Sequence, residues 1–393
     1  MNRLLIAILA ALSMLGALSI DAYLPALPAI ARQFSVNAAA AQQSLTVYVF
    51  AFAVMTLLYG TLADSFGRRP VILVSLFVYV ASSVGAAFAS SLESLIIYRL
   101  FQGLSAGAGP VVGRAIVGDL CVGTEAHRVM SYISAFFGLA PAIAPILGGW
   151  LAHAYGWRSI FLFIAAFTLL LLVACVAALR ESLPRARRSS FHPRTILANY
   201  WEVGSHRRFL LRALAVALGF TGVLIYVAAA PAFVMGILHL SVTDFGWLFI
   251  PLIGGMTLGS IVAGRLSRVV RAEAIIRGSF AIMFVSALAN VAYCAWGDVK
   301  IPWAVLPMMG YAFGIAAATP AMTMIALEMF PAMRGLASSF HTFLFMILFT
   351  LDSGVIVPLL FGSPLKFAVA TLIGAVASLI CWRASSPESL RPA

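Results

Sequence analysis

The sequence predicts an all-α integral membrane protein with twelve transmembrane helices in two six-helix bundles. Three observations carry this: a strongly apolar composition, a series of long uncharged stretches, and arginines gathered between alternate stretches. Of 393 residues, 63% are hydrophobic and 10% charged. Soluble domains are roughly half apolar and about a quarter charged. This excludes a soluble enzyme, a disordered tail and a nucleic-acid-binding protein. The net charge of +12 then reads as basic loops at a membrane surface.

The elements follow in order. Runs without Asp, Glu, Lys or Arg occupy 4–20, 33–63, 70–92, 129–157, 159–179, 213–243 and 245–264. Others occupy 278–297, 301–327, 335–351 and 367–382, and a further span, 94–113, is interrupted only by Arg99. A bilayer core needs ~20 mostly apolar residues per helix, with backbone groups satisfied inside the segment. Period-two alternation, the mark of a membrane barrel, is absent. Arg3 before the first run resembles the start of a signal peptide. The run continues through Asp21 to Pro28 without a cleavage site, so an uncleaved first helix is expected.

With the N-terminus placed in the cytoplasm, 20 of 25 basic residues fall in cytoplasmic segments or helix ends, Arg391 among them. The outside holds Arg32, Arg158, Lys300 and Lys366. This asymmetry predicts that both termini are cytoplasmic. The longest polar segment separates spans 6 and 7. It divides the chain into an N-terminal bundle (1–180), a cytoplasmic linker (181–208) and a C-terminal bundle (209–393). In the linker, Ile196, Leu197, Tyr200 and Trp201 share one helical face, which predicts a short helix on the membrane surface. The linker arginines read as topology and headgroup contacts.

An internal repeat supports two halves. After span 2 the chain reads Gly60-Thr-Leu-Ala-Asp64-Ser-Phe-Gly67-Arg68-Arg69-Pro70; after span 8 it reads Gly264-Arg-Leu-Ser-Arg268-Val-Val-Arg271. Gly60 and Leu62 correspond to Gly264 and Leu266, while Asp64 and Gly67 have no counterpart. In the first copy, Gly60 is expected to admit a neighbouring helix, Gly67 to allow a tight turn, and Asp64 to pair with Arg68.

Segment 60–70 resembles the loop 2–3 motif of the major facilitator superfamily, GxLaDrxGrkxxl. Leu95-Ile-Ile-Tyr98-Arg99-Leu-Phe-Gln102-Gly103 resembles that superfamily's helix 4 motif, with its buried arginine. Gly138-Leu-Ala-Pro141-Ala-Ile-Ala-Pro145-Ile-Leu-Gly148-Gly149 resembles the helix 5 antiporter motif of its drug exporters, with Ala144 replacing the usual Gly. Ser19-Ile-Asp21-Ala-Tyr23-Leu-Pro25-Ala-Leu-Pro28 and Trp157-Arg158-Ser-Ile-Phe161 resemble the bicyclomycin-resistance (Bcr/CflA) exporters. The resemblance covers most of 1–180 and thins in 210–393, where Glu328-Met-Phe-Pro331 and Gly335-Leu-Ala-Ser-Ser339 remain family-like.

Candidate residues combine this resemblance with the cost of burying charge. A carboxylate at hydrocarbon depth costs ~2.5–3.5 kcal/mol on insertion scales, so Asp21 is a functional candidate, suited to reversible protonation. The resemblance implies that it couples protons and substrate. Arg99 cannot lose its proton and needs a carboxylate or several carbonyls; the family motif implies that it faces inward and tunes the helix 1 acid. Asp352 belongs to no recognised motif and reads as a second proton site, a cation-binding acid, or an outer acid facing water. His341 in the same helix reads as a satisfied packing residue. Tyr48, whose helix leads into the loop 2–3 motif, is expected to line an apolar cavity, and Gln102 to join it in substrate contact. The matching motifs imply a cytoplasmic gate of Gly60, Asp64, Gly67, Arg68, Arg69 and Asp119. Pro141, Pro145, Gly148 and Gly149 are expected to kink helix 5 and pack it closely, and the resemblance adds a role in limiting proton leak.

The resemblance implies proton-coupled efflux of small amphipathic drugs or antibiotics across a bacterial inner membrane, by alternating access of a monomer. An exporter of an endogenous metabolite or small peptide is the alternative. The expected partners are a small-molecule substrate and membrane lipids, with no nucleic acid. No cofactor beyond the coupling proton is expected. The four cysteines and six histidines show no disulfide or metal spacing. No nucleophile–base arrangement suggests an enzyme.

Overall fold

The computed structural model describes residues 3–188 and 192–385. Arg391, residues 189–191 of the expected linker, and residues 386–393 lie outside the described residues.

Twelve helices are long and apolar enough to cross a membrane. They are α1 (Arg3–Gln33), α2 (Ala38–Phe66), α3 (Arg68–Ala87), α4 (Leu92–Leu120), α5 (Gly123–Tyr155) and α6 (Arg158–Ala178). The second set comprises α7 (Arg207–Ala228), α8 (Gly246–Leu266), α9 (Ala272–Ala295), α10 (Leu306–Leu327), α11 (Pro331–Leu360) and α12 (Pro364–Ala384). The chain clusters into two units, Met1–Leu197 and Ala198–Ala393, so the division falls inside the short helix Pro193–Ser205.

Local chemistry sets the helix ends. Asn37 caps α2 by accepting from the Ala40 amide at 2.8 Å. Ser91 and Ser94 form a reciprocal capping box at the start of α4. The α-helical start of α1 stops at Asp21, passes through a 3-10 turn at Leu24–Ala26 containing Pro25, and resumes over Leu27–Gln33. Pro25 lacks the N–H that would continue the ladder. The extended end of α1 is tied to the start of α6: Gln33 Oε1 accepts from Trp157 Nε1 at 2.6 Å and from Arg158 Nη1 at 2.8 Å.

The two units share three helix pairs but weight them differently. In the first, α1 packs on α5, α2 on α4, and α3 on α6. In the second, α8 packs on α10, but α7 lies most extensively along α12 and less along α11, and α9 lies along α10 more than along α12. Six positions on, each pair recurs. The repeat seen in the two loop sequences therefore extends to whole bundles, although the sequences have diverged.

Two expectations need correction. Gly60 is expected to admit a neighbouring helix, but among the described residues nothing lies within 4 Å of a Cβ placed there. The apolar face of the 193–205 helix divides. Tyr200 lies against Phe340, ring centres 6.2 Å apart, and Val203 is buried with Phe209, Ala213, Ala326 and Ala337. Leu197 and Trp201 instead remain 71% and 76% exposed. Residues at i, i+4 and i+7 share one stripe, and their neighbours at i+1 and i+5 begin the next.

Candidate functional site

The first unit is built around Arg99. Counted from the Ser91 cap, Arg99 lies two turns into α4 and is fully buried. Its guanidinium carbon sits 4.5 Å from the Tyr23 ring centre and 4.1 Å from that of Tyr48, with Phe161 at 6.0 Å. Stacking between aromatic faces suits a planar, weakly hydrated cation. Nε donates to the Ser44 carbonyl at 3.4 Å; Nη1 donates to Gln102 Oε1 at 3.0 Å and to the Ser19 carbonyl at 3.5 Å. Nη2 is buried without a partner.

A second shell fixes this cage. Gln102 Nε2 donates to Ser83 Oγ at 2.7 Å, and Tyr79 donates to Ser19 Oγ at 2.5 Å. Tyr48 donates to the Gly16 carbonyl at 3.1 Å, and the Tyr23 and Ser44 hydroxyls lie 2.6 Å apart. Residues of α1, α2, α3 and α4 thus share one polar network. Tyr48 is wholly inside it, which corrects its expected place on a cavity wall. Gln102 is equally buried and orients Arg99. Tyr23, Ser44 and Tyr79 were not singled out from the sequence, because their significance depends on neighbours from other helices.

Asp21 is 4% exposed. Among the described residues its carboxylate has no hydrogen-bond or ion-pair partner. The tuning by Arg99 that the motif implies is therefore not exerted through an ion pair. The physical reason is helix geometry: Arg99 meets the carbonyl of Ser19, and two residues on the chain has turned by roughly 200°. The next residue, Ala22, borders the α5 motif. A Cβ on Gly148 would fall on the backbone of Ala22, so only glycine lets α5 pack against α1 here. Pro145, Gly148 and Gly149 are buried, and α5 stays continuous through both prolines.

At the α2–α3 turn, Gly67 adopts φ +103°, a conformation that disfavours a side chain. Arg68 binds Asp64 Oδ1 at 2.5 Å through Nη1 and Asp119 Oδ2 at 3.1 Å through Nε. A further acid closes the turn. Glu181 Oε1 accepts from the Arg68 amide at 3.0 Å, and Oε2 accepts from the Arg69 amide at 3.4 Å. These are orphan donors at the start of α3, where the helix dipole favours an anion. Arg188 Nη2 donates to Glu181 at 3.4 Å, Ser182 donates to Asp119 at 2.8 Å, and Arg69 Nη2 donates to the Val176 carbonyl at 3.1 Å. A Cβ on Gly67 would collide with the Glu181 and Arg188 side chains. Glu181 was not anticipated; an acid just past a span, in an arginine-rich linker, is the signal it offered.

In the second unit Asp352 is 4% exposed, which removes the reading of an outer acid facing water. His341 Nε2 is buried without a partner, which corrects its reading as a satisfied packing residue. Among the described residues no cluster of His, Cys, Asp or Glu could hold a metal ion. All four cysteines are free.

Comparison with known proteins agrees with this architecture. The model of the Major Facilitator Superfamily matches residues 9–351. The chain is 33% identical to the uncharacterized MFS-type transporter YdgK of Bacillus subtilis (strain 168), over 69% of this chain and 68% of the relative. It is 30% identical to a bicyclomycin resistance protein homolog of Haemophilus influenzae, over 70% of each. Among solved structures, a D-xylose-proton symporter superposes with a TM-score of 0.75, covering 97% of both chains at 15% identity; this likeness concerns the fold.

Proposed function

We propose that this chain, which belongs to the major facilitator superfamily and is a multi-pass membrane transporter rather than an enzyme, exports small amphipathic drugs or antibiotics in exchange for protons. The observation that carries the proposal is Asp21, a buried carboxylate with no hydrogen-bond or ion-pair partner among the described residues, next in the chain to Ala22, which packs on the antiporter-like segment of α5. The 30% identity to a bicyclomycin resistance protein homolog supports the substrate class.

In this reading the protein is a monomer in the bacterial cytoplasmic membrane with both termini in the cytoplasm. A proton entering from outside neutralises Asp21 and releases substrate; its loss inside restores substrate affinity. Each charge moved inward across 100 mV supplies ~2.3 kcal/mol, and ~1.4 kcal/mol corresponds to a tenfold gradient. One proton per cycle therefore supports accumulation of tenfold or more. Arg99 holds α1, α2 and α4 in register around this acid, and Asp352 is a second coupling residue. The Arg68–Asp64–Asp119 cluster, closed by Glu181, is the cytoplasmic gate of an alternating-access cycle.

The test is proton movement in energised inverted vesicles on addition of candidate drugs. Wild type is expected to release protons with substrate, and Asp21→Asn is expected to abolish the response while the protein remains folded. The same response in Asp21→Asn would remove Asp21 from coupling. Silence with every drug, and a response to cellular metabolites, would replace drug efflux by metabolite export.

A further inference from the structure

We propose that the cavity between α2, α3 and α4 of the first unit is a binding site for one acyl chain of a membrane phospholipid. The site stands on the geometry of that unit and on its place in a membrane, and is independent of the export reading above.

The cavity has a volume of about 470 Å³, within the ~300–1,000 Å³ range of ligand sites. Its α3 wall runs from Pro70 to Val78, about 12 Å along the axis at 1.5 Å per residue. One leaflet of the hydrocarbon core is about 15 Å deep, half of the full thickness. The slot therefore follows the helices, from the α2–α3 turn inward, over most of a leaflet. It opens past Phe66, Val74 and Phe101, which are all exposed. The apolar surface continues one turn further along each helix, onto the exposed Phe77 of α3 and Ile97 of α4. Exposed apolar side chains on membrane-spanning helices meet lipid tails. The opening is thus continuous with the lipid-facing surface.

The wall chemistry excludes water and polar guests. No charged side chain lines the cavity, and its three hydroxyls are committed elsewhere. Tyr59 donates to the Leu104 carbonyl at 2.7 Å, and Ser75, 3.1 Å away, donates to the Tyr59 hydroxyl. Ser105 donates to the Phe101 carbonyl at 2.6 Å. A confined water needs about two to four polar partners, which these walls do not offer.

The commitment of Tyr59 has a local cause. α4 is jointed: its α-helical legs, Leu92–Ala106 and Ala108–Leu120, meet at Gly107. Pro110 cannot donate to the Ala106 carbonyl, and its ring crowds that oxygen. The Tyr59 ring lies over the joint, 3.0 Å from where a Gly107 Cβ would stand, while its hydroxyl takes the Leu104 carbonyl. Tyr59 is spent on the joint, and the cavity beside it is left apolar.

A hydrocarbon chain fits these walls. It needs no hydrogen bond, and it supplies the dispersion contacts that unfilled space forfeits. The second unit gives the contrast. There α8, α9 and α10 flank a cavity of about 480 Å³, but Glu273 and Glu328 line it together with Ser260 and Ser267. A chain laid there would meet two carboxylates; in the first unit it meets none.

The test uses the full-length protein in nanodiscs of phosphatidylethanolamine and phosphatidylglycerol. A trace of phosphatidylglycerol carries a photoactivatable diazirine midway along one acyl chain, and adducts are mapped by mass spectrometry. The reference residues are Leu170 and Val173, exposed on α6, which the Arg69–Val176 hydrogen bond places beside the start of α3. Wild type is expected to be labelled at Val71, Val74 and Val78 about tenfold more than at the reference residues, a factor equivalent to ~1.4 kcal/mol. Val71→Phe combined with Val78→Phe fills the slot and should abolish the excess at Val74, with α6 labelling unchanged as the check that the protein is folded. Val78→Phe alone, a milder change, should lower the excess part-way. Val74→Ala leaves the slot open and should keep the excess at Val71 and Val78. A free fatty acid bearing the same diazirine should give no excess. Equal labelling of α3 and α6 in wild type would mean ordinary boundary lipid. An excess that survives in both phenylalanine variants would place the chain outside the cavity. An excess with the free fatty acid alone would make the occupant a fatty acid. Each of these three results overturns the proposal.

Discussion

In the N-terminal bundle a buried cation, Arg99, is held by two carbonyls, one amide side chain and two aromatic faces. In the C-terminal bundle a buried acid, Asp352, has no such enclosure and faces the hydroxyl of Thr221. The turn sequences differ in the same sense. Arg68 binds two carboxylates and its helix start is capped by Glu181. Among the described residues Arg265, Arg268 and Arg271 of the second loop form no ion pair. Two bundles that share three helix pairs therefore differ in how they hold their buried charges. The first surrounds its buried arginine with carbonyls, an amide and rings, although Arg99 Nη2 finds no partner. The second sets its buried acid against one hydroxyl, that of Thr221.

The contrast can be broken most severely at Arg99. Arg99→Ala removes a fully buried side chain and should cost ~3–5 kcal/mol, the range for large-to-alanine changes in cores. Thermal unfolding in detergent should show this, and transport should be lost. Arg99→Lys keeps the charge but not the planar fork, and should recover folding far more than transport. A smaller effect is expected at Arg68. Its partners are partly exposed, 48% for Asp64 and 21% for Asp119. Arg68→Ala should therefore cost about 1–3 kcal/mol rather than the full price of a buried pair.

Glu181→Ala should cost ~1 kcal/mol as a lost helix cap, and should slow transport if the turn gates it. Gly67→Ala acts through the same contact besides straining its backbone. The double variant should then be less destabilised than the two single losses added, which a double-mutant cycle measures. Additivity would show that Gly67 and Glu181 act independently. At the small end, Arg268→Ala in the unpaired second loop should change stability by no more than about 0.5 kcal/mol. A larger loss would mean that the second turn is also held by its arginine.

Much of the fold was legible because the bilayer imposes it residue by residue. The first span extends beyond its uncharged run to Gln33, with its α-helix broken after Asp21 by the 3-10 turn at Pro25. Gly67 was legible because a turn between two spans leaves few alternatives. Gly60 was not, since a glycine in a motif does not reveal what faces it. Arg99 could be placed inside a span, but the choice between carboxylate and carbonyl partners stayed open until α1, α2 and α4 were assembled. Glu181 lies 113 residues from the amide it caps, a separation no local pattern bridges.

The sequence by itself determined twelve apolar helices, their division into two related halves and the presence of three charged residues inside spans. It could do so because hydrocarbon demands a local answer: each segment must satisfy its own backbone and hide its own charge. Tertiary structure alone decided which of those charges is satisfied. Arg99 finds carbonyls and aromatic faces on other helices, while among the described residues Asp21 finds no hydrogen-bond or ion-pair partner. The reason is that side-chain hydrogen bonds are short and directional, so satisfaction depends on ångström-scale placement of segments far apart in the chain.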